Sequence, residues 1–253
     1  MVEGLDRFAR HFRGMESQYV IIGGTACDLW LGKEGFGFRE TKDIDMVLVV
    51  EALDSDFIRR FLEFISIGKY MAFRRDAGRP KFYRFEKPKA SGFPKMIELL
   101  TRNYLKVPEG IHLTPIPADN ETPSLSAILL DEEYYRFVVE SRVFINDIPI
   151  LPPKCLIPLK ARAHLDLRKR KESGDGKVKG SDVKKHRNDV FRLYLSLKPE
   201  DRFDLPGKLG KDLDEFLAIF TPKNPDWAEI RKSVGALSAP EPVIRNLKEI
   251  FKL

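Results

Sequence analysis

The sequence predicts an α+β protein, with a β-sheet and flanking helices over residues 1–153 and a mostly helical domain over residues 154–253. Three observations predict it. Short β-branched and aromatic runs alternate with amphipathic segments in the first part, Pro152-Pro153 interrupts regular structure, and helical patterns dominate residues 154–253. With 253 residues and 43% hydrophobic content, the chain can form two modest domains or one large one with a packed core.

The first strand and the helix after it meet at a glycine turn. Tyr19–Ile22 is a strand-like run that Gly23 and Gly24 stop, and Thr25–Leu31 can begin a helix directly afterwards. Because glycine lacks a Cβ atom, the backbone can adopt a positive φ and let a phosphate approach the helix N-terminus, which favours an anion. A Gly-Gly pair after a strand is also a common plain turn, so the pair needs support from its neighbours.

That support comes from two carboxylates at the start of the second strand. In Asp43-Ile44-Asp45 the period of a strand places both carboxylates on one side and Ile44 on the other. Mg²⁺ takes oxygen ligands, so the pair is a candidate metal site anchored by the apolar run after it. An Asp-x-Asp at a strand start can also be solvated or cap a loop. The order of glycine turn and carboxylate pair predicts a triphosphate cradle and then a metal site.

These residues resemble a known family. Gly23-Gly24, Arg39, Thr41 and Asp43-Ile44-Asp45 are similar to the GG…R-x-T-x-D-x-D signature of the DNA polymerase β-like nucleotidyltransferase superfamily, and most similar to its AbiEii-like and MenT-like toxin branch. The resemblance implies a mixed sheet, two divalent metals held by three carboxylates, and transfer of a nucleoside monophosphate from an NTP. It implies nucleotide-binding roles for Gly23, Gly24, Thr25, Arg39 and Thr41. MenT-like members use the 3′ end of tRNA as acceptor.

Glu98 is the candidate for the third carboxylate. It lies inside the apolar run Phe93–Leu100, which predicts a buried strand, and a carboxylate is seldom buried without a partner or a metal. The resembling superfamily carries its third carboxylate on a later strand, usually as Asp. The alternative is a Glu98 at the wet end of the strand, paired with an arginine such as Arg102.

The same patterns predict the other elements of the first domain. Leu5, Phe8, Ala9 and Phe12 recur at helical spacing and predict an amphipathic helix before the first strand. Further predictions are a helix over Phe57–Ile65 with Asp54 or Ser55 as N-cap, a hairpin across residues 77–80, a long loop over residues 105–130, a helix over Asp131–Glu140, and a hairpin over Val143–Leu151 turning at Asn146-Asp147.

The second half is helical and basic. Lys160, at the start of a helix predicted to follow Pro158, aligns with a lysine that the resembling family uses on the phosphates of the nucleotide. Asp189 matches the last position of a K-D-x-x-D type motif of the same branch, so the resemblance implies a nucleotide-binding role for it. His186 replaces the first Asp of that motif and is expected on the helix surface, paired with Asp189. Without the resemblance, Lys160 would be a surface lysine. The charged connection 168–185 is where an RNA backbone would bind.

Composition indicates which partners and which cellular compartment to expect. Forty-four Lys and Arg against 38 Asp and Glu give a net charge of +6, which permits an anionic partner such as nucleic acid. Cys27 and Cys155 have no zinc or disulfide spacing and are expected to be buried. No apolar run is long enough to span a bilayer, and the first 17 residues carry charges throughout without a signal-peptide core, so we expect a cytoplasmic protein without a membrane partner.

Together these features predict a nucleotidyltransferase. Asp43, Asp45 and Glu98 would hold one or two Mg²⁺, and Gly23, Gly24 and Lys160 would hold the triphosphate of an NTP. An acceptor hydroxyl would attack the α-phosphorus, and the resemblance implies that this hydroxyl belongs to the 3′ end of a tRNA. If the protein is a toxin, an antitoxin partner is implied by the resemblance. The alternatives are transfer to a small molecule or a protein, and a non-catalytic member that binds nucleotide or RNA.

Overall fold

The computed structural model describes residues 2–72, 80–100, 116–117 and 131–253. The chain divides into two compact units, residues 1–152 and residues 153–253. The first is a sheet with helices and the second is made of helices, so the predicted α+β class is confirmed. Predictions that fall on residues 73–79, 101–115 and 118–130, including most of the long loop and Arg102, lie outside the described residues.

The first unit is built on one mixed sheet, whose described strands run in the order β3-β4-β5-β2-β1-β8-β7, with β6 beside β4. The sheet is mixed because β2 pairs in parallel with β5 and β1 with β8, whereas the other pairs are antiparallel. The strands are β1 (Tyr19–Ile22), β2 (Asp43–Leu48), β3 (Met71–Ala72), β4 (Pro80–Glu86), β5 (Met96–Leu100), β6 (Ile116–Pro117), β7 (Val143–Ile145) and β8 (Ile148–Ile150).

Four α-helices are described in the first unit, together with a short 3₁₀ turn over Glu16–Gln18. They are α1 (Leu5–His11), α2 (Gly23–Lys33), α3 (Ser55–Gly68) and α4 (Glu132–Glu140). In α3 the apolar residues recur every three or four positions, so one face of the helix is aromatic. That face joins α1 and the first strand in a cluster of rings with centroids 4.5 to 6.4 Å apart, formed by Phe8, Phe12, Tyr19, Phe57, Phe61 and Phe64.

The predicted hairpin at Asn146-Asp147 is confirmed and joins β7 to β8. Both turn residues have positive φ, 50° and 62°, which is the conformation that a two-residue hairpin requires and that Asn and Asp tolerate best after glycine. Through β8, the hairpin pairs with β1 at Ile21. Cys27 and Cys155 are both buried, as expected.

The second unit contains five described helices around an apolar core. They are α5 (Pro153–Glu172), α6 (Gly180–Tyr194), α7 (Gly207–Ile219), α8 (Trp227–Val234) and α9 (Pro240–Ile250). Helix α5 packs against α6 and α7, and the rings of Phe191, Phe216, Phe220 and Trp227 pack on one another at the centre. In the part of the chain that the structure describes, every helix is too short or too polar to cross a membrane.

Several predicted boundaries were wrong. Helix α2 begins at Gly23 rather than Thr25, and β5 begins at Met96 rather than Phe93. Helix α5 begins at Pro153 and runs through Pro158, because a proline suits the first helical position and the inner one removes only one backbone donor. The charged segment 168–185, predicted to be a connection, is mostly helical, and only residues 173–179 link α5 to α6.

Asp54 gives a direct test of how α3 is fixed to the sheet. Its carboxylate accepts a 2.8 Å hydrogen bond from the Phe57 amide, as an N-cap, and a 3.0 Å hydrogen bond from Gln18 Nε2. Asp54→Ala should lower the free energy of unfolding by about 1–2 kcal/mol. Asp56→Ala, which removes an exposed carboxylate paired with Arg59, should change it by less than about 0.5 kcal/mol. Urea unfolding of both variants measures this, and equal losses would contradict the N-cap role.

Candidate active site

The candidate site lies where three neighbouring strands bring their polar residues to one place. Antiparallel pairing puts Ile22, the last residue of β1, opposite Asp45 on β2. Parallel pairing of β2 with β5 puts Asp45 opposite Glu98. Paired residues of neighbouring strands point to the same side of a sheet, so Asp45 and Glu98 share a face at the end of β1, where helix α2 begins.

Gly23 holds the closest contact of the site. It is the first residue of α2 and has a φ of +68°, which favours glycine. A Cβ atom added there would collide with the carboxylate of Asp45. The carboxylate therefore lies directly against the glycine turn, and any larger residue at position 23 would displace it.

The loop that leads into β2 packs against Gly24. A Cβ atom on Gly24 would come within 2.6 Å of Thr41 Oγ1 and 3.6 Å of a guanidinium nitrogen of Arg39. Arg39 also stacks on its neighbour Phe38, with the guanidinium carbon 4.9 Å from the ring centroid. Two predicted nucleotide-binding residues, Arg39 and Thr41, are thus placed over the second glycine of the turn.

Thr25 ties the turn to the carboxylate strand. It is fully buried, and its hydroxyl donates a 2.5 Å hydrogen bond to the carbonyl of Asp43. Because that hydroxyl is used internally, Thr25 positions the start of β2 rather than offering a donor to a ligand. The predicted residues of the first unit, from Gly23 to Glu98, therefore form one continuous set.

Glu98 is buried, with 5% of its surface exposed, and is not at a wet strand end. Its Oε1 atom accepts from both Nε and Nη2 of Arg84, each at 2.6 Å. Arg84 lies opposite Glu98 in the β4–β5 pairing. Burial, followed by the nearby charge of Asp45, raises the pKa of the Glu98 carboxyl to about 7 even though Arg84 acts to lower it. The two carboxylates are close enough to exchange a hydrogen bond when one is protonated.

Sequence reasoning missed Arg84. It lies in a basic and aromatic run that is equally typical of a solvated sheet face. A buried Glu98 demands a cation, but only the strand register shows which arginine supplies it. The structure pairs Glu98 with Arg84, and Arg102, the partner considered from the sequence, lies outside the described residues.

The donor set suits a divalent cation in part. Carboxylate oxygens are the ligands that Mg²⁺ prefers, and burial, followed by the charge of Asp45 beside it, raises the pKa of Glu98. Asp43 lies on the same strand face, half-buried. Within the described ranges, however, no three His, Cys, Asp or Glu side chains are arranged to hold a metal ion. Asp45 and Glu98 are the pair that fits, and a cation there would compete with Arg84 for Glu98.

The two remaining predicted residues belong to the second unit. Lys160 and Asp189 are 1% and 0% exposed, and Lys160 Nζ lies 3.1 Å from Asp189 Oδ2. Asp189 Oδ1 accepts a 3.2 Å hydrogen bond from Arg192, whose other nitrogen donates to the Ser233 carbonyl at 2.8 Å. Their predicted contact with a nucleotide remains a prediction. Lys160 is not the surface lysine of the alternative interpretation.

His186 is also placed differently from its prediction. The sequence predicts it on the surface of its helix, but only 8% of it is exposed. Helix α6 packs against both α5 and α8, so its buried face is wider than the apolar pattern of the sequence indicates.

Comparison with known proteins finds several similar solved structures, among them the following two. A chain described as an antigenic nucleotidyltransferase-like protein from Paracoccidioides brasiliensis is 17% identical, with a TM-score of 0.42 and coverage of 90% of this chain and 89% of that one. The antibiotic-resistance factor ANT(2'')-Ia is 11% identical, with a TM-score of 0.39 and coverage of 90% and 93%. No family model and no curated protein matches. At such low similarity, activity has to be inferred from the site residues of this chain.

Gly23→Ala tests the contact between the turn and Asp45. The matched control is Gly35→Ala, because Gly35 also has a positive φ, +78°, but open space where a Cβ would lie. The control should lose about 1 kcal/mol of unfolding free energy from backbone strain alone. Gly23→Ala should lose roughly 1–3 kcal/mol more, because the Asp45 side chain has to move. Urea unfolding compares the two, and equal losses would show that the contact does not constrain the turn.

Glu98 predicts a pH dependence of stability. Its pKa is about 7 in the folded protein, against an ordinary value of 4.5 for a solvated glutamate, so the folded state retains a proton that the unfolded state has lost between those pH values. The free energy of unfolding should therefore fall as pH rises from about 4.5 to 7, by roughly 2–4 kcal/mol, and then level off.

Glu98→Gln should remove that fall, whereas Glu63→Gln, at an exposed position of α3, should keep it. Urea unfolding of the three proteins at pH 5 and pH 8 measures the difference. The same fall in Glu98→Gln as in the unsubstituted protein would assign the pH dependence to other groups.

Proposed function

We propose that the protein is a Mg²⁺-dependent nucleotidyltransferase that moves a nucleoside monophosphate from an NTP to an acceptor hydroxyl. One observation carries the proposal: the carboxylates of Asp45 and Glu98 lie side by side on neighbouring strands, with Asp45 against the glycine turn that begins helix α2. A phosphate-binding turn and a cation-binding pair are thus adjacent, as transfer from a triphosphate requires.

The residues of the first unit would have separate roles in the transfer reaction. The backbone around Gly23 and Gly24, at the N-terminus of α2, would hold the triphosphate, with the guanidinium of Arg39 and the hydroxyl of Thr41 beside it. Thr25 fixes the turn to β2 through the Asp43 carbonyl. The acceptor hydroxyl would attack the α-phosphorus, forming the new P–O bond as the bond to pyrophosphate breaks in line.

Asp45 and Glu98, with Asp43 on the same strand face, would hold Mg²⁺. Bound there, the cation supplies neutralisation of the triphosphate charge and lowers the pKa of the attacking hydroxyl, so no histidine base is required. Arg84 would release or share Glu98 when the cation binds, which makes it a positioning residue.

An RNA 3′ end, most specifically that of a tRNA, is the acceptor we propose. The support is the net charge of +6 and the resemblance of the site residues to the AbiEii-like and MenT-like branch. A role as the toxin of a toxin-antitoxin pair, with an antitoxin protein as partner and the cytoplasm as location, belongs to the same proposal and rests on that resemblance.

One observation favours a second candidate, a protein that binds nucleotide or RNA without transfer. Arg84 already supplies Glu98 with two contacts of 2.6 Å, which satisfy the carboxylate in the way a metal would. A site locked in this arrangement would bind an anion but not a cation.

Transfer of label separates the two candidates. Purified protein is incubated with each α-³²P-labelled NTP, Mg²⁺ and total RNA, and RNA, protein and small molecules are then resolved. We expect label in a tRNA-sized band, and we expect Asp45→Asn to reduce it at least about a thousandfold because one ligand of the cation loses its charge. Asp56→Asn, an exposed carboxylate on α3, is the control and should keep full activity.

Each other result has a meaning. Label on protein or on a small molecule would keep the chemistry and reject the RNA acceptor. Absence of label with every NTP, together with an NTP-induced rise in melting temperature that does not need Mg²⁺, would support the binding protein. Full activity in Asp45→Asn would reject the site.

A further inference from the structure

The second unit contains a cavity that the proposed transfer reaction does not use. Its volume is about 590 Å³, within the range of small-molecule sites, and it lies among the end of α5, the start of α6 and the segment between α7 and α8. Four cationic side chains and two carboxylates line it. The cations are Arg168, Lys171, Lys184 and Arg187, and the carboxylates are Glu172 and Asp226.

Both carboxylates are already neutralised by partners in the same cavity. Glu172 accepts a 2.8 Å hydrogen bond from Arg168, and Asp226 accepts a 2.6 Å hydrogen bond from Nη1 of Arg187. Lys171 has no carboxylate within ion-pair distance among the residues that the structure describes. Lys184 is paired with Glu229 at 2.9 Å, so Lys171 is the lining cation that gives the cavity its net positive charge.

Among the residues that line the cavity, Arg187 gives the strongest indication of an anionic ligand. Its side chain is only 2% exposed, and its Nη2 atom donates no hydrogen bond within the described part of the chain. Glu229 Oε2 lies 3.4 Å away, an ion-pair distance without hydrogen-bond geometry. A guanidinium cannot lose its charge, and an unsatisfied buried donor is costly. An anionic acceptor in the cavity would satisfy it.

The N-terminus of α6 adds to the positive electrostatic potential of the cavity. Helix α6 has 15 residues, and its N-cap, Lys179, supplies no side-chain cap. The ammonium of Lys171 lies against its first residue, since a Cβ on Gly180 would come within 2.7 Å of Lys171 Nζ. A cation held beside a positive helix end is unfavourable unless an anion bridges them.

The remaining wall of the cavity is apolar and includes one hydrogen-bond acceptor, which belongs to His164. Ile219, Phe220 and Pro225 contribute apolar surface. His164 also lines the cavity; its Nδ1 faces the Val183 carbonyl at 3.0 Å, and its Nε2 has no partner among the described residues. A carbonyl only accepts, so Nδ1 carries the proton, and burial lowers the pKa of His164. Nε2 is then an acceptor for a ligand hydroxyl.

We propose that this cavity is a binding site for a small phosphate monoester whose remaining part is apolar or aromatic and carries a hydroxyl, the chemistry of a nucleoside monophosphate. The phosphate binds to Arg187, Lys171 and the start of α6. The base or an equivalent ring packs on Ile219 and Pro225, which line the cavity and are not fully buried. This site is independent of the Asp45 and Glu98 pair.

Isothermal titration of the full chain with AMP and with inorganic phosphate, both in EDTA, tests the site. AMP should bind about tenfold more tightly than phosphate, because only AMP uses the apolar wall. Lys171→Ala, an exposed substitution that should not affect folding, should weaken AMP binding about tenfold through loss of a charge-assisted contact. Arg187→Gln should weaken it further. Lys211→Ala, an exposed lysine of α7 outside the cavity, is the matched control and should bind like the unsubstituted protein.

Three results would overturn the proposal: no saturable binding of AMP, equal affinity for AMP and phosphate, or unchanged affinity in Lys171→Ala. Displacement of AMP by a short RNA oligonucleotide without a terminal phosphate would also overturn it, because the site would then recognise a phosphodiester backbone. Loss of label transfer in Asp45→Asn reports on the other unit, so failure of one proposal is distinguishable from failure of the other.

Discussion

The first unit depends on the contact between the Asp45 carboxylate and a backbone that has no side chain, at Gly23. The contact joins the end of β1, the start of α2 and the start of β2 at one point. Thr25 repeats the link two residues later through its bond to Asp43. Because a carboxylate fills the space where a side chain would lie, a larger residue at position 23 would displace it.

The same arrangement explains the unusual chemistry of Glu98. Parallel pairing of β2 with β5 forces its carboxylate beside that of Asp45, away from water, and Arg84 offsets only part of the cost. Structures that keep like charges adjacent generally do so where a ligand or an ion will use them. The charge arrangement of the site is therefore set by strand register, not by any single residue.

Local features could be predicted from the sequence, whereas contacts between residues far apart in the chain could not. Tyr19–Ile22, the Asp54 cap and the Asn146-Asp147 turn depend on short-range rules and were predicted correctly. The pairing of Arg84 with Glu98 depends on the register of two strands, and the burial of His186 on the packing of three helices, neither of which a local pattern contains. The nucleotide-binding role predicted for Lys160 rests on resemblance alone, and its partner Asp189 is 29 residues away.

The buried chain of charges Lys160, Asp189 and Arg192 has a consequence for how this sequence can vary. Removing Asp189 leaves two cations without their shared carboxylate, at a cost of about 3–5 kcal/mol, whereas replacing all three residues with apolar ones of similar volume is often neutral. Single changes are therefore selected against, and intermediates between the two solutions are unstable. Among relatives, these three positions should be inherited together or exchanged together.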